Sequence, residues 1–125
     1  MKKKILIVED EALHVMFIKK VLKTNGYEIC GVSATGEGAI DLARNNSPDI
    51  TLMDINLADS ISGIEAAREI RNFSDTPIIF VTGYEKDAIL SEISDIERSM
   101  LYTKPIEIEI LLEYIQECIQ KFFIK

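Results

Sequence analysis

The strongest constraint on the fold is an alternation, repeated five times, between a short apolar run and a longer amphipathic segment. The runs are four to six residues long and rich in β-branched side chains, as expected for strands covered on both faces. We predict strands at Lys4–Val8, Glu28–Ser33, Asp49–Met53, Pro77–Val81 and Met100–Thr103.

The segments after the runs have the periodicity of helices that pack on a sheet. In the first of them, Val15, Ile18 and Leu22 form an apolar stripe, and Gly26 follows as a stop signal. We predict helices at about Glu11–Asn25, Glu37–Asn46, Gly63–Asn72, Glu85–Ile96 and Glu107–Phe122. Five βα repeats with right-handed crossovers predict one α/β domain over residues 1–125. The expected architecture is a flavodoxin-like three-layer sandwich with a parallel sheet of order 2-1-3-4-5.

The charge of the chain narrows the range of partners. The formal net charge is −7 and the pI is about 4.7, so the anionic backbone of a nucleic acid and an anionic membrane surface are both unfavourable. No apolar run approaches the roughly 20 residues that cross a bilayer, and we expect a cytoplasmic protein. Cys30 and Cys118 are far apart and match no metal-binding or redox spacing.

The residues that directly follow the predicted strands are mostly polar. In an open parallel sheet, ligands bind at the carboxyl ends of the strands, so these residues are predicted to meet at one edge. They are Glu9, Asp10 and Glu11 after the first strand, Asp54 after the third, Thr82 and Gly83 after the fourth, and Lys104 and Pro105 after the fifth.

Each residue also has a simpler explanation. Asp10 suits the N-cap of the first helix, Asp54 suits a turn, and a lysine such as Lys104 is usually a solvated surface residue. Their predicted convergence favours a site, because clustered carboxylates need a cation among them and Mg²⁺ prefers such oxygen ligands. Asp54 could then act as a nucleophile towards phosphorus, with Lys104 and the Thr82 hydroxyl contacting the phosphoryl oxygens.

With these residues in place, the chain resembles the response-regulator receiver domains of two-component signalling along nearly its whole length. The matching segments occur in the family's order. They are ILIVEDE (5–11), DITLMDINL (49–57), GIEAAREIR (63–71), TPIIFVTGY (76–84) and TKPI (103–106).

The resemblance implies a role for each site residue. Asp54 corresponds to the phosphoacceptor, Asp10 to a direct Mg²⁺ ligand, Glu9 to a ligand acting through water, and Asn56 to a residue whose backbone carbonyl contacts the metal. Thr82 corresponds to the switching hydroxyl, Lys104 to the family's lysine, and Pro105 to a proline that is often cis. The implied partners are a histidine kinase or phosphotransfer protein, a downstream protein target and, as one option, a second copy bound through the face of the fourth helix, fifth strand and fifth helix.

Three positions depart from the family pattern. Glu9 replaces the commoner aspartate, and the segment INLADSISG (55–63) lacks the usual proline and is one residue longer than the commonest form. Leu101 stands where receivers usually carry a switching aromatic ring. Tyr102 follows it, but neighbouring residues on a strand point to opposite faces, so Tyr102 is not expected to replace that ring.

Two other functions share this fold. A pseudo-receiver would bind a partner without being phosphorylated. Leu101 and the altered 55–63 segment keep this alternative open, whereas the intact set of Asp10, Asp54, Thr82 and Lys104 argues against it. A Mg²⁺-dependent phosphohydrolase would need an acid two residues after the nucleophile, where this chain has Asn56. His14, the only histidine, is expected to be an isolated exposed residue of the first helix.

Overall fold

The computed structural model describes residues 2–57, 61–83 and 86–123. Five strands alternate with five helices along the chain. The strands are β1 (Lys4–Val8), β2 (Glu28–Ser33), β3 (Ile50–Asp54), β4 (Ile78–Thr82) and β5 (Ser99–Thr103). The helices are α1 (Ala12–Thr24), α2 (Gly36–Asn46), α3 (Gly63–Arg71), α4 (Lys86–Ile93) and α5 (Ile108–Phe123).

The strands form one parallel sheet in the order β2-β1-β3-β4-β5, which confirms the predicted flavodoxin-like architecture. Every residue of β3 and β4 is buried, including the polar residues Thr51, Asp54 and Thr82, as expected in a sheet covered on both sides. β5 lies at an edge of the sheet, next to β4 alone.

The hydrophobic core consists of two layers, one on each side of the sheet. The first layer joins alternate strand residues to α2, α3 and α4, and the second joins the others to α1 and α5. Leu101 belongs to the first layer and Tyr102 to the second, which confirms that these neighbours on β5 point to opposite faces.

Two helices start at the polar residues that usually cap them. The Thr35 hydroxyl accepts a hydrogen bond from the Gly38 amide at the start of α2, and the Ser62 hydroxyl accepts one from the Glu65 amide at the start of α3. At α1, the N-cap position belongs to Glu11 and no side chain makes a capping hydrogen bond. The interpretation of Asp10 as a helix cap is therefore wrong.

The predicted end of the fourth helix is also wrong, since α4 stops at Ile93 and not near Ile96. The Ser94 hydroxyl donates to the Ser91 carbonyl and the Ile96 amide to the Ile93 carbonyl, so the chain leaves the helix in a tight turn. Ile96 is nevertheless buried in the first core layer, which is why it extends the apolar pattern beyond the helix. The predicted first residue of this helix, Glu85, lies outside the described residues.

Within the described parts of the chain, no helix combines the length and apolarity needed to cross a membrane.

Candidate phosphoacceptor and metal site

Four predicted site residues lie at the carboxyl ends of adjacent strands. Glu9 directly follows β1, Asp54 ends β3, Thr82 ends β4, and Lys104 directly follows β5. Because β3 lies between β1 and β4 in a parallel sheet, Asp54 is at the middle of this edge.

Three carboxylates form a cluster at the edge. One oxygen from each of Glu9, Asp10 and Asp54 lies within 4.8 Å of the others; Glu9 and Asp54 are buried and Asp10 is exposed. Burial raises the pKa of the Glu9 carboxyl, the Glu11 amide opposes this shift, and the negative charge of Asp54 adds to it. A set of hard, anionic oxygen donors with one side open to solvent fits Mg²⁺.

Lys104 brings a positive charge to this cluster. Its ammonium nitrogen lies 3.1 Å from Oδ2 of Asp54, and the Lys104 side chain is only one-quarter exposed. Burial acts to lower the pKa of Lys104, but the hydrogen bond and the charge of Asp54 outweigh it and raise the pKa overall. Lys104 therefore stays protonated at neutral pH.

The Asp54 carboxylate is fixed through both of its oxygens. Oδ2 accepts the hydrogen bond from Lys104, and Oδ1 accepts one from the Asn56 amide at 3.1 Å. Asn56 thus contacts Asp54 through its N–H group, and the metal-binding role of its carbonyl stays a prediction.

Thr82 is connected to Lys104 through the backbone. The Thr82 side chain is buried, and its carbonyl accepts a 2.7 Å hydrogen bond from the Lys104 amide. The end of β4 and the start of the β5–α5 connection are therefore held together beside Asp54.

The β5–α5 connection contains the cis proline that the resemblance implied, at the Lys104–Pro105 peptide bond. Its far end is anchored by the Tyr102 hydroxyl, which accepts a 2.7 Å hydrogen bond from the Glu107 amide. The Tyr102 ring packs in the second core layer at 4.9 Å from the ring of Tyr114. Tyr102 thus contributes to the position of the segment that includes Lys104.

Gly63 is a site residue that the sequence reasoning missed. A Cβ atom at this position would clash with the Asp54 carbonyl oxygen, and the Gly63 amide donates to the Ile55 carbonyl at 2.9 Å. The first residue of α3 therefore packs directly against the backbone of Asp54. The available signal was a glycine directly after the capping serine, Ser62.

The prediction that His14 is isolated is wrong. Its Nδ1 lies 3.4 Å from Oε1 of Glu9, and its Nε2 lies 3.6 Å from Oε2 of Glu11. His14 also borders a cavity of about 470 Å³, whose lining includes Phe17, Lys104 and Ile106. The cavity shares Lys104 with the Asp54 site, so the site is open on the side of α1.

The 55–63 segment, which lacks the usual proline and is one residue longer than the commonest form, includes residues 58–60, and these lie outside the described residues. The same holds for Tyr84.

Comparison with known proteins agrees with this geometry. The family described as response regulator receiver domain matches residues 5–116. The transcriptional regulatory protein PdtaR of Mycobacterium tuberculosis is 32% identical over 120 residues, which cover 96% of this chain and 58% of PdtaR. The chain thus corresponds to little more than half the length of that relative.

Two further proteins match over nearly their full length. The polar-differentiation response regulator DivK of Brucella ovis is 30% identical over 119 residues, which are 93% of this chain and 95% of DivK. The crystal structure of a CheY-like receiver domain protein from Methanospirillum hungatei has a TM-score of 0.89 at 26% identity, covering 97% of this chain and 96% of that one. With the family match extending over most of the sequence, the chain belongs to the response regulator receiver domain family.

Proposed function

We propose that this chain is the phosphoryl-accepting domain of a two-component relay, in which Asp54 receives a phosphoryl group from a histidine kinase or a phosphotransfer protein. The observation that supports this best is the pairing of buried Asp54 with Lys104 at 3.1 Å, next to the carboxylates of Glu9 and Asp10. An acidic cluster with one fixed ammonium group suits an anionic donor that arrives together with Mg²⁺.

The reaction needs little beyond positioning. An oxygen of Asp54 attacks the phosphorus atom in line with the P–N bond of a phosphohistidine. The new P–O bond forms as the P–N bond breaks, and the imidazole departs with the electron pair and takes up a proton. Mg²⁺, held by Asp10, Asp54 and, through water, Glu9, would neutralise charge between the two anions. Lys104 and Thr82 then contact the phosphoryl oxygens.

Sustained phosphohydrolase activity is less well supported. The residue two positions after Asp54 is Asn56, whose amide group cannot act as a general acid. In the structure its backbone N–H holds Oδ1 of Asp54, which favours a fixed acceptor.

The side of the site next to α1 is suited to a protein donor. Three apolar side chains of α1 are exposed, Leu13 at 78%, Met16 at 66% and Phe17 at 43%, and Phe17 also lines the cavity beside Lys104. An apolar surface that reaches the cavity beside Lys104 provides contact area for the donor that brings the phosphoryl group.

The proposed switch acts through Thr82 on a surface that binds the downstream target. Leu101 lies in the first core layer with Ile89 and Ile93 of α4, and it has neither a ring nor a hydroxyl group. We therefore propose that the conformational change on phosphorylation is a movement of α4 itself and not the rotation of an aromatic side chain.

Phosphorylation of the intact protein by a small donor tests the proposal. With Mg²⁺ and acetyl phosphate, we expect one phosphoryl adduct by mass spectrometry, stable in acid and labile in base. Asp54→Asn should abolish it, whereas Asp41→Asn, a matched change at an exposed position on α2, should leave it unchanged. EDTA should also prevent its formation.

Other outcomes would support the competing functions. If the wild type forms no adduct and does not bind beryllofluoride, the chain is a pseudo-receiver. If it steadily turns over a small phosphoester, it is an enzyme.

A further inference from the structure

The end of α4 is held by two arginines of α3. Arg68 and Arg71 lie one turn apart in the last turn of α3. Arg68 reaches the last turn of α4, and Arg71 donates a 2.9 Å hydrogen bond to the Glu97 carbonyl, two residues before β5. The chain between α4 and β5 is therefore attached to α3 at two points.

The contacts of Arg68 have a fixed geometry. Its guanidinium donates to both carboxylate oxygens of Asp95, at 2.5 and 3.1 Å, and to the Glu92 carbonyl at 2.9 Å. The planar fork of an arginine makes such a two-point contact in only one relative orientation of the two groups. The Glu92 carbonyl lies in the last turn of α4, where carbonyls need partners from outside the helix. We call these three hydrogen bonds the Arg68 clamp.

The side of α4 that faces the sheet is held by apolar packing. Ile89 and Ile93 lie in the first core layer beside Leu101 of β5, and Ile96 joins the same layer after the helix ends. Apolar attraction has no preferred direction, so it fixes the position of a helix along the layer less sharply than directional hydrogen bonds do. The Arg68 clamp is consequently the contact that most directly opposes a movement of α4.

α3 also contacts Asp54. Its first residue, Gly63, packs against the Asp54 backbone, and the Gly63 amide donates to the Ile55 carbonyl at 2.9 Å. The nine-residue helix α3 is thus in contact with Asp54 at its start and with α4 at its end. A displacement of the backbone at Asp54 can therefore reach the Arg68 clamp through a single helix.

We propose that the Arg68 clamp is an autoinhibitory contact, which holds α4 in the position it has while the Asp54 carboxylate pairs with Lys104 and which breaks when Asp54 carries a phosphoryl group. The inference rests on the proposed function and adds to it the contact that opposes the movement of α4. The side chains of Arg68 and Asp95 are 45% and 64% exposed, so water screens the pair and the clamp is weak. A weak contact suits a switch, because a ligand must be able to overcome the bias between two positions.

The test measures the affinity of the whole chain for beryllofluoride, an analogue of the phosphoryl group, in the presence of Mg²⁺. In Arg68→Gln, binding no longer has to break the clamp, and we expect the dissociation constant to fall about two- to fivefold by NMR titration. Asp95→Asn keeps the Glu92 contact and should give a smaller change in the same direction. The double variant should equal Arg68→Gln, because both changes act on one contact.

A second measurement needs no phosphoryl analogue. Loss of the clamp should shift the population of α4 towards its other position. The amide NMR signals of residues 86–97 in Arg68→Gln should therefore move from those of the free wild type towards those of the wild type with beryllofluoride. Arg44→Gln is a matched control, since it removes an exposed arginine of α2 that lies 4.5 Å from the Phe73 ring. It should change neither the dissociation constant nor the α4 signals.

An unchanged or larger dissociation constant in Arg68→Gln would overturn the proposal, and so would an equal gain in Arg44→Gln. Urea denaturation verifies that each variant is folded, and the exposed change Asp95→Asn serves as the test if Arg68→Gln is not. If the wild type binds beryllofluoride and both clamp variants bind it equally well, the clamp is wrong and the assignment of Asp54 stands. If the wild type forms no adduct and binds no beryllofluoride, the proposed function and this inference are both wrong.

Discussion

At the residue scale, Asp54 depends on neighbours that are distant in sequence. Lys104 holds Oδ2, the Asn56 amide holds Oδ1, and Gly63 packs against the carbonyl. Because the carboxyl ends of parallel strands share one edge of the sheet, the sequence alone was sufficient to place Glu9, Asp54, Thr82 and Lys104 together. Gly63 and His14 could not, because their contacts depend on how the chain returns after β3 and on the pitch of α1.

The close approach of Gly63 predicts a steric cost for any side chain there. Gly63→Ala places Cβ against the Asp54 carbonyl oxygen, a backbone atom that cannot move aside. We expect the free energy of unfolding to fall by about 1–3 kcal/mol, measured by urea denaturation. Gly83→Ala is the control, since a Cβ there meets its nearest atom, Cδ of Lys104, only at 4.0 Å. Unchanged stability of Gly63→Ala would contradict the described packing.

The two cysteines should differ in reactivity. Burial raises the pKa of the Cys118 thiol to about 11 from its ordinary value of 9.0. Burial also raises the pKa of the Cys30 thiol, but Cys30 is only half-buried. Iodoacetamide, which reacts with the thiolate, should therefore label Cys30 first at pH 8 and Cys118 only after unfolding in urea. Peptide mass spectrometry measures both sites, and Cys30→Ser isolates Cys118. The stability that the neutral Cys118 thiol provides is complete below pH 9 and is lost as the pH rises towards 11.

At the element scale, the order of the strands could be predicted from sequence, whereas the ends of helices depended on local hydrogen bonds. The buried residue Ile96 continues the apolar pattern of α4, yet the chain has already turned at Ser94. The start of α5 likewise depends on a tertiary contact, since the hydroxyl that binds the Glu107 amide belongs to Tyr102.

Loss of that hydroxyl should destabilise the start of α5. In Tyr102→Phe the Glu107 amide loses its acceptor while the ring remains in the core, and we expect a loss of about 1 kcal/mol in the free energy of unfolding. Tyr114→Phe is a matched control, because within the described residues its hydroxyl forms no hydrogen bond. If both variants are as stable as the wild type, the hydroxyl does not anchor the helix.

At the scale of the whole molecule, a protein donor needs the apolar surface on α1, whereas acetyl phosphate needs only the site. Met16→Asp should therefore slow phosphotransfer from a phosphorylated histidine phosphotransfer protein by about tenfold, with no change in the rate with acetyl phosphate. Autoradiography of the transferred label measures the first rate and mass spectrometry the second.

The control for Met16→Asp is Phe73→Asp, the same kind of change at an exposed apolar residue that follows α3 and lies away from the site. It should leave both rates unchanged. Equal slowing with both donors in Met16→Asp would show damage to the site itself and not the loss of a docking surface.

The predicted strand order already places α4 and α5 beside the edge strand β5, and residues 86–97 and 107–117 together carry the entire formal net charge of −7. With all of the net charge on one side and a balanced remainder, the molecule has a permanent electric dipole. When a cationic molecule approaches, the resulting torque turns the side of the protein that contains α4 and α5 towards it before contact. This orientation during diffusion raises the association rate constant for cationic proteins. Added salt screens the charges and should lower that rate constant.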